Sequence, residues 1–241
     1  MATLLIIGGT GFFGKSILDS FKRNQLVRWK IDKVIIMSRN SHDFEENYPE
    51  LCSKGVDFLT GDISTIDVLP EADFVIHAAA SANTSKFLNR SEEEKNNIID
   101  GTLNYCNLAK KFHKKSKIIY CSSGAVYGYQ PNNLQFLEED NPFGDISKLD
   151  NIKKSYAYAK RDSEVAIREL GKKGINVSIA RCFSFVGKYL PRDQHFAMGN
   201  FIANGKNGTD IEVKTDRLVF RSYMNADDLV EWLLTIADNS K

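Results

Sequence analysis

The stretch Thr3–Phe21, TLLIIGGTGFFGKSILDSF, decides the fold and can be counted in two ways. From Gly9, GTGFFGKS fits G-x-x-x-x-G-K-[ST], the loop that cradles nucleoside triphosphate phosphates. From Gly8, GGTGFFG spaces glycines at 8, 11 and 14, a variant of the dinucleotide-binding turn. Both readings place an apolar strand before the turn and an amphipathic helix after it. Both aim backbone N–H groups and a helix N-terminus at a phosphate.

The rest of the chain repeats that strand–helix alternation. DKVIIMSRN, VDFLTGDI, ADFVIHAAA, SKIIYCSS and INVSIARCF read as further buried strands. EEEKNNIIDGTLNYCNLAKKF and SYAYAKRDSEVAIREL read as long helices, the second expected to close at Gly171. Strands covered by helices on both faces are continuously apolar, and these are. The expectation is an α/β, Rossmann-type, doubly wound parallel sheet. Residues 1–181 would form the dinucleotide-binding core. Residues 182–241 would be a small, incomplete substrate-binding region on the same domain, ending in the helix NADDLVEWLLTIA. In such sheets ligands bind beyond the C-terminal strand ends, where GGTGFFG, SRN, GDI, HAAA and CSSGAVYG all fall.

A triphosphate-binding loop also requires an acidic residue ending another buried strand to hold Mg²⁺. The apolar runs end instead in Ser38–Arg39, Thr60–Gly61, His77–Ala78 and Cys121–Ser122, with Asp62 just beyond one of them. The dinucleotide reading therefore accounts for more of the sequence, and Lys15 and Ser16 become ordinary first-turn helix residues.

Composition narrows the partners. Lys and Arg number 32 against 31 Asp and Glu, which gives no electrostatic reason to expect nucleic acid or an anionic membrane. The basic run KKFHKKSK reads as a solvated helix end. The four cysteines, at 52, 106, 121 and 182, are widely spaced and have no clustered histidines. They suggest reduced thiols in or near the core of a cytoplasmic protein, with no metal site. No run is apolar and long enough to span a bilayer, and no leader is expected ahead of the first strand.

Tyr156 and Lys160, in YAYAK, are one helical turn apart; of the nine tyrosines only Tyr156 has a lysine at that spacing. An ammonium beside a phenol favours the phenolate and would draw its pKa from ~10 toward neutrality. Such a phenol can exchange a proton with a sugar hydroxyl as hydride moves to or from a nicotinamide. YCSSGAVYG ends the fifth strand, and its Ser123 could orient the reacting oxygen against Tyr156. The bland alternatives are an exposed Tyr–Lys pair and a simple Ser–Gly turn.

Taken in order, the glycine turn, the serine loop and Tyr-x-x-x-Lys resemble the extended short-chain dehydrogenase/reductases. The closest resemblance is to the NAD-dependent epimerase/dehydratase family, which acts on nucleotide sugars. That resemblance implies a cofactor site of Gly8, Thr10, Gly11, Phe12, Phe13, Gly14, Ser38, Arg39, Asp62, Ile63, Ala78, Ala79 and Ala80, with Tyr156 and Lys160. It implies Tyr156 as acid/base, Lys160 as its pKa modulator and ribose anchor, and Ser123 as the hydroxyl-orienting partner. It also implies that Arg221, in an Arg-containing strand RSYMNADDL, pairs with the substrate diphosphate, while Asn200 in MGNFI contacts the nucleotide. The expected partners are a nucleotide sugar and a second copy of the chain, paired through the two long helices.

The sequence also departs from the family pattern. The second strand ends in Ser38–Arg39 where NAD-preferring members carry an acid, which leans the cofactor toward NADP over NAD. Gly124 and Ala125 occupy the positions of the Asp–Glu pair that drives water elimination in 4,6-dehydratases. Elimination is thereby disfavoured, leaving an epimerase or a 4-keto-sugar reductase. Ser184 stands where many members have Asn, and Asn97 is out of register with the family's spacing and is left out of the site. Relatives continue past DDLVEWLLTIADNSK, so the substrate lobe is expected to lack a wall. A catalytically silent dinucleotide-binding module is the alternative from another class.

Overall fold

The computed structural model describes residues 1–80, 84–130, 134, 136–192, 196–213 and 221–240, with the backbone alone for 84–89. Six strands form one parallel sheet: β1 (Ala2–Ile7), β2 (Ile31–Ser38), β3 (Val56–Thr60), β4 (Phe74–His77), β5 (Lys117–Ser123) and β6 (Val177–Cys182). Their order is β3-β2-β1-β4-β5-β6. The order reverses between β1 and β4, and an open parallel sheet has its ligand crevice at such a point.

Side-chain parity along each strand builds two cores. Leu4, Ile6, Val34, Ile36, Phe74 and Ile76 face one side, covered by α1 (Phe12–Lys22) through Ile17 and Leu18. The same side is covered by α6 (Ala226–Asn239) through Leu229, Val230, Leu233 and Leu234. Leu5, Ile7, Ile35, Met37, Val75, Ile118 and Tyr120 face the other side. There they meet α3 (Thr84–Phe112) and α4 (Asn151–Lys172) through Tyr105, Leu108, Ile167 and Leu170. Helix α6 thus completes the sheet's own core, although it lies late in the chain.

Local chemistry explains the helix ends. Asp150 caps α4 by accepting from the Lys153 N–H at 2.9 Å, and Asn225 caps α6 through the Asp227 N–H at 2.9 Å. Helix α3 breaks at Arg90 (φ −147°, ψ 46°), so its regular part begins where EEEKNNIID was expected to start. Helix α4 passes through Gly171 and ends at Lys172; the left-handed residue that turns the chain is Gly174, φ +83°. Between β2 and β3 a short helix, α2 (Ser41–Asn47), packs Phe44 into the core, a feature the apolar runs did not announce. Past β6 a two-stranded parallel ribbon forms from β7 (Ser184–Val186) and β8 (Tyr223–Asn225), with α5 (Ala197–Asn207) between them in sequence. Arg221 lies just before β8, outside the strand in which it was expected.

Cys106 and Cys121 are buried and Cys52 and Cys182 half-buried, all four as free thiols. Among the described residues no helix is long and apolar enough to cross a membrane.

Candidate active site

The turn after β1 is built from backbone. Gly8 adopts φ +84°, and a side chain there would stand 2.6 Å from the Ala79 Cα at the end of β4. The turn can therefore close on β4 only with glycine. Gly8 and Gly9 donate to the Met37 carbonyl at 2.9 and 3.2 Å, and Thr10 and Ser38 share a hydroxyl–hydroxyl bond of 2.9 Å, which ties the turn to β2. Gly14 lies against the turn: a Cβ there would fall 1.8 Å from the Gly9 oxygen. Gly11 differs, since its hypothetical Cβ meets only the Gly8 oxygen, at 3.6 Å. Among the described residues nothing demands glycine at 11.

Gly11 is also the exposed N-cap of α1, and among the described residues no side chain caps that end. The first-turn N–H groups, from Phe12 to Gly14, therefore face outward as a positive helix end. An uncapped helix start beside a position kept clear of a side chain by nothing internal fits a ligand diphosphate. Lys15 and Ser16 are engaged elsewhere, which speaks against a triphosphate loop. The Lys15 Nζ sits 3.6 Å above the Tyr48 ring, and the buried Ser16 hydroxyl donates to the Phe12 carbonyl at 2.8 Å.

Around this cradle lie the other residues expected to meet a dinucleotide. Ala78, Ala79 and Ala80 follow β4, half-buried. Arg39 and Asp62, at the ends of β2 and β3, face each other at 3.6 Å, both substantially exposed. Asp62 also accepts from the Ser64 N–H and hydroxyl at 2.9 and 2.8 Å. Burial raises the Asp62 pKa, but the Ser64 bonds and Arg39 outweigh it and hold the carboxyl below its usual range. Ile63 is buried in the α3 core, its carbonyl accepting from Asn104 at 2.8 Å.

The second cluster is built from side chains on β5 and α4. Ser123 ends β5 and caps the short 3₁₀ turn Gly124–Tyr127, accepting from the Ala125 N–H at 3.2 Å. Ser123 also bears on Tyr156 of α4, where it favours the phenolate. Tyr156 is half-buried, its ring packing with Ala80 against Ile98 and Ala159. Lys160 is 2% exposed; it donates to the Cys121 carbonyl at 2.8 Å and the Tyr120 hydroxyl at 3.2 Å. Its Nζ lies 5.9 Å from the Tyr156 ring centroid.

Burial opposes the Lys160 charge, but the phenols of Tyr120 and Tyr156, the Tyr120 hydrogen bond and Cys121 outweigh it and raise its pKa. For Tyr156 the balance falls the other way from the sequence expectation. Burial pushes the phenol above its ordinary value, Tyr120 and Cys182 add to the rise, and Lys160 and Ser123 only partly offset it. Spacing along a helix gives proximity but says nothing of desolvation, which here dominates.

A buried ion pair that spacing did not single out supports this cluster. Glu164 on α4 receives Arg181 Nε and Nη2 of β6 at 3.0 and 2.9 Å, and the Ser122 hydroxyl at 2.6 Å. Arg181 Nη1 continues to the Tyr127 hydroxyl at 3.0 Å and the Glu139 carbonyl at 2.8 Å. The hub thus joins β5, the 3₁₀ turn, α4 and β6 around Ser123. Its signals were an arginine inside an apolar strand and a glutamate one turn after Lys160, on the face carrying Tyr156. Gly124 completes the turn, since a Cβ there would enter the Phe183 ring at 2.5 Å. Asn200 is half-buried in the first turn of α5, and Arg221 is exposed ahead of β8; both belong to the region after β6.

Comparison with known proteins identifies the family. UDP-glucuronic acid decarboxylase 3 of Arabidopsis thaliana is 26% identical over 98% of the chain, and the chain spans 66% of its length, just under two thirds. A UDP-N-acetyl-alpha-D-glucosaminuronate decarboxylase of Bacillus cytotoxicus is 28% identical over 97% of the chain and 70% of its own length. Among solved structures, the UDP-N-acetylglucosamine 4-epimerase of Methanobrevibacter ruminantium shares the fold with TM-score 0.81 at 22% identity, over 98% of this chain and 73% of that one. The dTDP-glucose 4,6-dehydratase DesIV of Streptomyces venezuelae, solved with NAD bound, does so with TM-score 0.80 at 21% identity, over 99% and 73%. The model of the NAD dependent epimerase/dehydratase family matches residues 4–241, and the chain belongs to that family.

Proposed function

We propose that this chain carries the cofactor half and the acid/base of a nucleotide-sugar enzyme that moves hydride at a sugar carbon. The observation that carries the reading is that Ser123, Tyr156 and the buried Lys160 come together at the sheet edge that also presents the glycine cradle, with the Lys160 Nζ 5.9 Å from the Tyr156 ring centroid. In this reading Gly8, Gly11, Gly14 and the start of α1 hold the diphosphate of NAD or NADP, and Ser38, Arg39, Asp62 and Ile63 line its adenosine end. Ala78, Ala79 and Ala80 line its middle. The nicotinamide supplies the hydride acceptor and donor. The protein supplies the proton: Tyr156 takes it from, or returns it to, a sugar hydroxyl held by Ser123, while the Lys160 charge stabilises the phenolate.

Oxidation of a sugar carbon to a ketone can end in several ways. Return of hydride to the opposite face is epimerisation, and return to a supplied keto sugar is reduction. A carboxylate on the carbon next to the ketone is lost as CO₂, leaving an enolate that takes up a proton at that carbon. This is the chemistry named by the decarboxylase relatives, and no base is needed to start it. Elimination of water does need one, and Gly124 and Ala125 offer none at the turn. We therefore favour an epimerase or 4-keto-sugar reductase, with decarboxylation as the second reading and dehydration last.

Asn200 and Arg221 are proposed to hold the nucleotide and its diphosphate. Leu103 of α3 and Tyr158 and Val165 of α4, all exposed, are proposed as the face through which two copies pair; sedimentation across a range of concentrations checks it. The catalytic reading is tested by following nicotinamide absorbance with a panel of UDP- and dTDP-sugars, including UDP-glucuronate. Tyr156→Phe is expected to lower turnover at least a hundredfold, at the low end of acid/base effects. Its dinucleotide affinity, read by thermal shift, should stay within threefold of wild type. Full activity in that variant removes Tyr156 from the chemistry. Dinucleotide binding without turnover on any sugar favours a silent binding module.

A further inference from the structure

The ammonium of Lys160 stands closer to a different phenol from the one proposed to do the chemistry. Its Nζ is 3.2 Å from the Tyr120 hydroxyl and 4.7 Å from the Tyr120 ring centroid, against 5.9 Å for the Tyr156 ring. Tyr120 has no exposed surface: it lies on the α3/α4 side of β5, and the His77 ring meets it edge-on at 5.4 Å. A hydroxyl so placed has a restricted choice of partners, and the Lys160 ammonium is one of them.

We infer that Tyr120 is a positioning residue for Lys160: its buried hydroxyl draws the ammonium toward the sheet and limits how strongly that charge acts on Tyr156. This rests on the reading of Tyr156 as the acid/base. An ammonium has three donors, and here one goes to the Cys121 carbonyl and one to Tyr120. The third remains for a Tyr156 phenolate, but the two bonds hold the ammonium 5.9 Å from the Tyr156 ring centroid, so the two phenols compete over where one cation sits.

The groups that bear on this competition come from every neighbouring strand and from α4. Tyr120 and Cys121 belong to β5, Tyr156 to α4, His77 to β4 and Cys182 to β6, with Ser123 at the end of β5. His77 is held neutral, its pKa lowered to about 3 by burial and then by the Lys160 charge, so it adds no second cation. Tyr120 acts on Tyr156 in the same direction as burial, and Lys160 acts against both. Taking away the Tyr120 hydroxyl removes the competitor and leaves the ring in place.

The test needs no substrate. Phenolate absorbance is followed by rapid pH jump, before unfolding, in wild type, Tyr156→Phe, Tyr120→Phe and the double variant. The two differences isolate the ionisation of Tyr156 with and without the Tyr120 hydroxyl. The expected result is a shift of the Tyr156 midpoint to lower pH in Tyr120→Phe. The same four measurements in a Lys160→Met background should show no such shift, because the competition has lost its object.

An unmoved or raised midpoint overturns the inference. So does an equal downward shift without Lys160, which would mark a general packing effect. A measurement on unmutated protein guards against loss of folding in Tyr120→Phe. With ¹⁵N-lysine labelling, the Lys160 ammonium should show stronger nuclear Overhauser contacts to Tyr120 ring protons than to those of Tyr156. The reverse order sinks the proposal. A fully active Tyr156→Phe enzyme would instead overturn the catalytic reading and leave the Tyr120–Lys160 coupling intact.

Discussion

The glycine cradle and the serine–tyrosine–lysine cluster share one edge of the sheet but are held together differently. The cradle is mostly a local object. Its shape comes from backbone conformation at Gly8, from Gly14 lying against Gly9, and from one close approach to Ala79. The second cluster is assembled from residues tens of positions apart, Ser122 with Glu164, Lys160 with Tyr120, Arg181 with Tyr127. Backbone contacts of the first kind tolerate no added atom, because nothing near them can rotate away. Side-chain contacts of the second kind depend on buried charges staying paired.

That contrast can be tested at several strengths. The largest effect is expected from Gly14→Ala, whose methyl group would fall 1.8 Å from the Gly9 oxygen. With backbone on both sides, the loss should be about 3 kcal/mol or more, seen as a fall in Tm of roughly 10 °C or as failure to accumulate folded chain. Gly11→Ala is the control at the same turn. Its methyl group has room, so Tm should hold to within about 0.5 kcal/mol while dinucleotide stabilisation falls. Equal losses of stability at the two positions would break the distinction drawn between them.

On the side-chain half, Glu164→Ala leaves Arg181 without its carboxylate in a mostly buried site and should cost about 3 kcal/mol in chemical denaturation. A loss below about 1 kcal/mol would show that Tyr127 and the Glu139 carbonyl suffice to hold Arg181.

A smaller effect comes from His77, whose pKa is lowered to about 3 by burial and by Lys160, from 6.5 in an exposed residue. Below pH 6.5 the unfolded chain takes up a proton at this position that the folded chain refuses. Stability is therefore full above that pH and is lost as pH falls toward 3. Between pH 6.5 and 5 the loss should reach about 2 kcal/mol. His113, also lowered by burial, adds in the same direction. His77→Phe should flatten the slope, and an unchanged slope in that variant would assign it elsewhere.

The smallest effect is expected at the exposed end of the cradle. Arg39→Ala should lower affinity for NADP relative to NAD by about tenfold, the scale of one charge-assisted bond at a solvated position. An unchanged ratio, read by isothermal calorimetry, would leave Arg39 as a partner of Asp62 alone.

The parallel sheet and the cradle were legible because their signals are contiguous. A doubly buried strand is an unbroken apolar run, and a glycine needed for a turn lies within the turn. The Tyr156–Lys160 spacing was legible for the same reason, being one turn of one helix. What it left out was the cost of burial and the nearer phenol of Tyr120, which reaches Lys160 only once β5 and α4 pack together. The hub around Glu164 was hidden similarly. Arg181 and Glu164 are 17 residues apart, and only the docking of β6 beside α4 makes them a pair.

Taken alone, the amino-acid order determined the strand–helix alternation, the glycine turn after the first strand and the helix face bearing Tyr156 and Lys160. Those are short-range consequences of backbone geometry and side-chain period. Tertiary structure decided that α6 completes the sheet's own core, that Arg39 faces Asp62, and that the Tyr156 phenol ionises less readily than an exposed one. Desolvation and long-range pairing exist only after the layers have packed, so no local pattern of residues encodes them.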